Sequence, residues 1–96
     1  MKLKRLLICG SAALALAGAA QAEPVKVGMI TTLSGGGAGL GVDTRDGFLL
    51  ALKNAGDAGK QVELVIEDDQ QKPDVAVQIA DKMIQSEQVD VLTGIV

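Results

Sequence analysis

The sequence predicts an α/β fold in which parallel strands alternate with helices, and three observations carry that prediction. Runs rich in Val, Ile and Leu stand at residues 25–32, 61–68 and 89–96. Two stretches with apolar residues at helical spacing lie between them. Pro24, a Gly cluster, Gly56 and Pro73 mark the junctions. The order strand, helix, strand, helix, strand calls for a parallel sheet with right-handed crossovers, each helix covering a sheet face that Val and Ile would otherwise expose.

Ahead of the first strand the chain reads as a targeting segment. Lys2, Lys4 and Arg5 open it, residues 6–20 carry no charge and are rich in Leu and Ala, and Ala20-Gln21-Ala22 precedes Glu23. A basic start, an apolar run and a small-x-small site predict a secretory signal peptide over residues 1–22, cut between Ala22 and Glu23. The apolar run is shorter than the ~18–20 residues that a membrane span needs. Cys9 follows Ile8 rather than a small residue, and most of the apolar run comes after it, so it reads as part of the removed segment and not as a lipid attachment point.

Residues 25–32 (VKVGMITT) form an apolar, β-rich run that reads as a strand buried on both faces. A Gly-rich loop over 33–41 (LSGGGAGLG) follows. Asp43 reads as the cap of a helix whose first turn holds Thr44, Arg45 and Asp46. Phe48, Ala51, Leu52 and Ala55 then make one apolar stripe, with Leu50 on the far side and Gly56 closing the helix. Residues 61–68 (QVELVIED) read as the second strand and 69–72 as a polar loop. Pro73 suits the first position of a second helix and Asp74 its positive end. Ala76, Ile79, Ala80, Met83, Ile84 and Glu87 continue it at helical spacing, before a third strand over 89–96. No linker divides residues 23–96, which read as one domain or a piece of one.

Composition removes several kinds of chemistry. The 96 residues hold 9 basic and 12 acidic side chains, net −3. Without Lys2, Lys4 and Arg5 the balance is 6 against 12. An acidic chain with no basic cluster argues against a nucleic-acid partner. Histidine is absent, and Cys9 is the only cysteine, so a Ser-His-Asp arrangement and the usual zinc sites are excluded from residues 23–96.

The loop after the first strand is the natural place for function, because ligands of open α/β sheets bind beyond the carboxyl ends of the strands. It matches neither familiar phosphate-binding pattern. Gly37 and Gly39 fit G-x-G-x-x-G, but Val42 stands in place of the third Gly. Gly36 and Gly41 fit the phosphate loop, but Val42-Asp43 replaces Lys-Ser/Thr. Glu67, Asp68 and Asp69 end the second strand; three acids there suit a divalent cation or a phosphoryl-acceptor site, or a solvated turn in which Asp side chains bond backbone N–H groups. A receiver domain, however, would place its acid pair after the first strand.

The stretch VKVGMITTLSGGGAGLGVDTRDGFLLALKNAG resembles the opening of periplasmic solute-binding proteins of the leucine/isoleucine/valine type. Leu33-Ser34-Gly35 after the strand, Gly41 shortly before Asp43, and Gly47 in the helix carry the likeness. So do Asp68-Asp69, Pro73, the Ala/Val-rich helix and the third strand running toward Gly94. Gly35-Gly36-Gly37 stands where many members have Gly-Pro, and Leu40 where many carry a bulky ring. The resemblance implies that residues 23–96 begin the first, Rossmann-like lobe of a two-lobed type I periplasmic binding protein. It further implies capture of a hydrophobic amino acid or another small carboxylate in the periplasm, without catalysis, cofactor or metal, for an inner-membrane ABC permease. Leu40, Ser34, Gly39 and Gly41 would then line the ligand cleft, with Ser34 either donating or accepting a hydrogen bond there or capping its own loop. Two other readings of the βαβαβ pattern stay open: a dinucleotide-binding domain of an exported enzyme, and a ligand-sensing receptor domain of the same fold.

Overall fold

The computed structural model describes residues 23–95; the signal-peptide reading of residues 1–22 lies outside the described residues. The elements are β1 (Val25–Thr31), α1 (Ala38–Asn54), a 3-10 turn (Gly59–Gln61), β2 (Val62–Asp68), α2 (Pro73–Gln85) and β3 (Val91–Thr93). The three strands form one sheet in the order β2-β1-β3. Both pairings are parallel, running from Val25↔Val62 to Thr31↔Asp68 and from Val27↔Val91 to Met29↔Thr93.

β1 is central, and Val27 through Thr31 are all buried, as its unbroken apolar run anticipates. Successive side chains of a strand point to opposite faces. Gly28 and Ile30 face α2: a Cβ on Gly28 would lie 2.6 Å from Met83 Sδ, and Ile30 packs with Ile79 and Met83. Thr31 faces the other way, its Oγ1 3.5 Å from the Gly41 carbonyl of α1. The helices therefore cover opposite faces of the sheet. Because β2 and β3 flank β1 on opposite sides, the two crossovers share one hand, as parallel units require.

α1 begins at Ala38, five residues before the cap read at Asp43. Asp43 is an exposed residue inside the helix, and Thr44 donates from Oγ1 to the Leu40 carbonyl at 2.9 Å. Gly39 and Gly41 each cost about 1 kcal/mol of helix propensity relative to Ala. At Gly41 close approach offsets that cost: the residue is buried, and a Cβ there would overlap the Thr32 carbonyl. That contact also sets the rotation of the helix. Val42, Arg45, Phe48 and Leu52 are half-buried, whereas Ala51 and Ala55 of the anticipated stripe are exposed. Leu50 is exposed, as read, and Gly56 follows the helix at φ 60°.

α2 starts with Pro73 in its first turn and Asp74 beside it. Ile79 and Met83 are buried, with Val65, Val75, Ala76, Ala80 and Val89 packed around them. Ile84 is 58% exposed and Glu87 lies beyond the helix, so the core-facing stripe is narrower than the spacing suggested. The third strand is also shorter than its apolar run. Lys26 donates its backbone N–H to Asp90 Oδ2 at 2.8 Å, and Asp90 donates its own to the Lys26 carbonyl at 2.7 Å. A side chain thus takes the place of a ladder carbonyl at Asp90, pairing starts at Val91, and Gly94 at φ 94° follows its end.

Candidate functional site

The register Thr31↔Asp68 sets the loop after β1 beside the loop after β2, at the carboxyl ends of the strands. Side chains lock the two loops together. Asp68 Oδ1 accepts the backbone N–H groups of Leu33 and Gln70, both at 2.8 Å, and Oδ2 accepts the Ser34 hydroxyl at 2.6 Å. The Ser34 hydroxyl first, and then the Leu33 and Gln70 N–H groups, hold the Asp68 carboxyl below its ordinary value of 3.8, because each favours the ionised form. Asp69 is buried; its Oδ1 accepts the Thr32 hydroxyl at 2.7 Å and the Gln71 N–H at 2.8 Å.

Gln70 and Gln71 sit at φ 56° and 60°, a left-handed pair that L residues adopt at some cost. The two Asp side chains bond their N–H groups and so hold that conformation. In return Gln71 Oε1 accepts the Gly37 N–H at 3.1 Å, satisfying a donor at the start of α1 that has no partner within the helix.

The three acids at the end of β2 thus part ways. Asp68 and Asp69 bond backbone N–H groups, as turn chemistry anticipates, and also reach across to the first loop. Glu67 pairs with Lys82 at 2.8 Å, which raises the lysine above its usual value. Among the described residues no group of three or more Cys, Asp or Glu side chains is gathered as metal ligands would be.

The glycine-rich loop ends at Gly37, so Gly39, Leu40 and Gly41 lie in the first turns of α1 and not in a loop. Gly41 is enclosed against Thr32, and its carbonyl is turned toward Thr31. A Cβ on Gly39 would meet open space. Leu40 is 66% exposed, a large apolar side chain displayed where α1 meets the carboxyl end of the sheet. Ser34 is exposed, with its hydroxyl committed to Asp68 in the neighbouring loop. Gln71 was not singled out by the sequence; the only signal was its place after two Asp residues and before Lys72-Pro73. A hollow of about 380 Å³ lies beside these loops, lined by Thr32, Asp69, Gln71, Lys72, Pro73 and Ile95. A more apolar one of about 440 Å³ lies between α2 and β3.

Residues 24–96 match the family described as periplasmic binding protein. An ABC transporter substrate-binding protein from Sphaerobacter thermophilus is similar in structure, with a TM-score of 0.67 and 35% identity over 73% of this chain. A solute-binding protein of an ABC transporter from Rhodopseudomonas palustris BisB5, solved in complex with 3,4-dihydroxybenzoic acid, is similar with a TM-score of 0.67 and 34% identity over 72% of this chain. No curated protein matches. The chain spans 19% and 20% of the lengths of those two solved proteins. With its sequence matched from the first strand onward and its parallel α/β architecture shared with both structures, the chain belongs to the periplasmic binding protein family.

Proposed function

We propose that this chain supplies part of one wall of a solute-binding cleft in a periplasmic receptor that delivers its cargo to an ABC permease. Capture of this kind involves no chemical step. Two lobes close about a hinge, water is expelled, and the remaining polar contacts gain strength. The proposed solute is a small carboxylate with an apolar body, either a hydrophobic amino acid or an aromatic acid. The Rhodopseudomonas palustris protein, with its bound dihydroxybenzoic acid, supports the aromatic acid.

The observation that carries this reading is the exposure of Leu40 on the first turn of α1, beside a loop of Leu, Ser and Gly with no charged side chain of its own. An aliphatic side chain there favours an apolar solute surface. A sugar would call for several polar side chains, of which the loop offers Ser34. Leu40→Asp tests the assignment in the full-length protein. An acid in the first turn of a helix is well tolerated, so the variant should fold. Its affinity for leucine or 3,4-dihydroxybenzoate should fall by about 1.5–3 kcal/mol, from lost apolar burial and an unpaired charge near the solute. Calorimetric affinity equal to the parent's would remove Leu40 from the cleft.

A further inference from the structure

We propose that Ser34 faces the solute as a hydrogen-bond acceptor, so that an ammonium or hydroxyl group of the solute is turned toward the loop after β1 and its carboxylate away from it. The inference rests on the solute reading above and adds an orientation to it. A serine hydroxyl has one proton and two lone pairs. Ser34 gives its proton to Asp68 Oδ2 at 2.6 Å, a length typical of a hydroxyl bonded to an ionised carboxylate.

Asp68 holds this arrangement in one direction. Its Oδ1 already accepts two backbone N–H groups, from Leu33 and Gln70, and these favour the carboxylate over the acid. The proton between Asp68 and Ser34 therefore belongs to Ser34. What the exposed Oγ has left for an incoming group is its lone pairs. A solute carboxylate placed there would meet those lone pairs with the Asp68 charge directly behind them, and would be repelled. A solute N–H or O–H would be accepted, and the same charge would strengthen the bond.

Titration of the full-length protein with matched solutes tests this. One pair is leucine and 4-methylpentanoate, which lacks the amine; the other is 3,4-dihydroxybenzoate and benzoate, which lacks the hydroxyls. In a pair that binds, Ser34→Ala should reduce the preference for the donor-bearing member about tenfold, as expected for a hydrogen bond to a charged or strongly polarised group, and Ser34→Thr should restore it. Equal weakening of both members in Ser34→Ala would mean that Ser34 only shapes the loop, and would overturn the inference while leaving the solute class intact. Should Ser34→Ala fail to fold, Asp68→Asn gives the same information. An amide N–H can donate to Ser34 and release the hydroxyl proton toward the solute, so the preference should narrow; an unchanged preference overturns the inference. Failure of all four solutes to bind the parent would remove the solute reading, and this orientation with it.

Discussion

Gly39 and Gly41 occupy the same helical turn of α1 but stand in opposite surroundings. A methyl group on Gly39 meets open space, whereas one on Gly41 overlaps the Thr32 carbonyl, which as backbone cannot swing aside. Gly39→Ala should therefore be neutral or stabilise by up to about 1 kcal/mol, the propensity gain of Ala over Gly. Gly41→Ala gains the same propensity but forces α1 away from β1, and should destabilise by about 1–3 kcal/mol net. Urea unfolding of the two variants in the full-length protein checks the contrast; equal effects would mean that α1 does not rest on Thr32. Asp68 permits a second test. Its folded carboxyl lies below the ordinary value of 3.8 because Ser34, Leu33 and Gln70 donate to it, so the fold stabilises the ionised form. Its contribution is then fully present above the ordinary value and is lost as pH falls through the folded one. The stability gap between the parent and Asp68→Asn should be widest near neutrality and close progressively below pH 3.8. A gap that does not change with pH would show that the carboxylate is not held by those donors.

Among the elements, α2 and β1 were readable because their chemistry is local. Pro73 at the helix start, Asp74 beside it and the Ile79–Met83 spacing each act within a few residues, and the structure keeps all three. The start of α1 was not readable in the same way. A run of glycines has low helix propensity, and what makes residues 38–41 helical is contact with Thr32 and a cap from Gln71, both set by the pairing of β1 with β2. The short β3 has a similar origin, since Asp90 bonds Lys26 with a side chain where the apolar pattern anticipated backbone. The difference between pattern and packing can be measured on α2. Met83 is fully buried and Ile84 is 58% exposed, though both lie on the anticipated stripe. Met83→Ala should cost about 2–5 kcal/mol through lost burial and a cavity, and Ile84→Ala less than about 1 kcal/mol. Similar losses at the two positions would contradict the helix rotation described.

At the scale of the whole molecule, the ordered set of loops and strands was legible as a family likeness, while the geometry of the candidate site was not. The sequence pointed to Leu40, Ser34, Gly39 and Gly41 as neighbours in one loop. The structure divides them: Leu40 and Gly39 are displayed on a helix, Gly41 is enclosed, and Ser34 is tied to Asp68 across a loop boundary. That division depends on long-range register, which residue spacing within a single loop does not encode. The central claim is that these residues form part of a cleft for a small apolar carboxylate. Calorimetric titration of the full-length protein against leucine, valine, benzoate, urea and glucose tests it most directly. Saturable binding of at least one of the three carboxylates and none of urea or glucose is expected; tight glucose binding with no response to any carboxylate would rule such a cleft out.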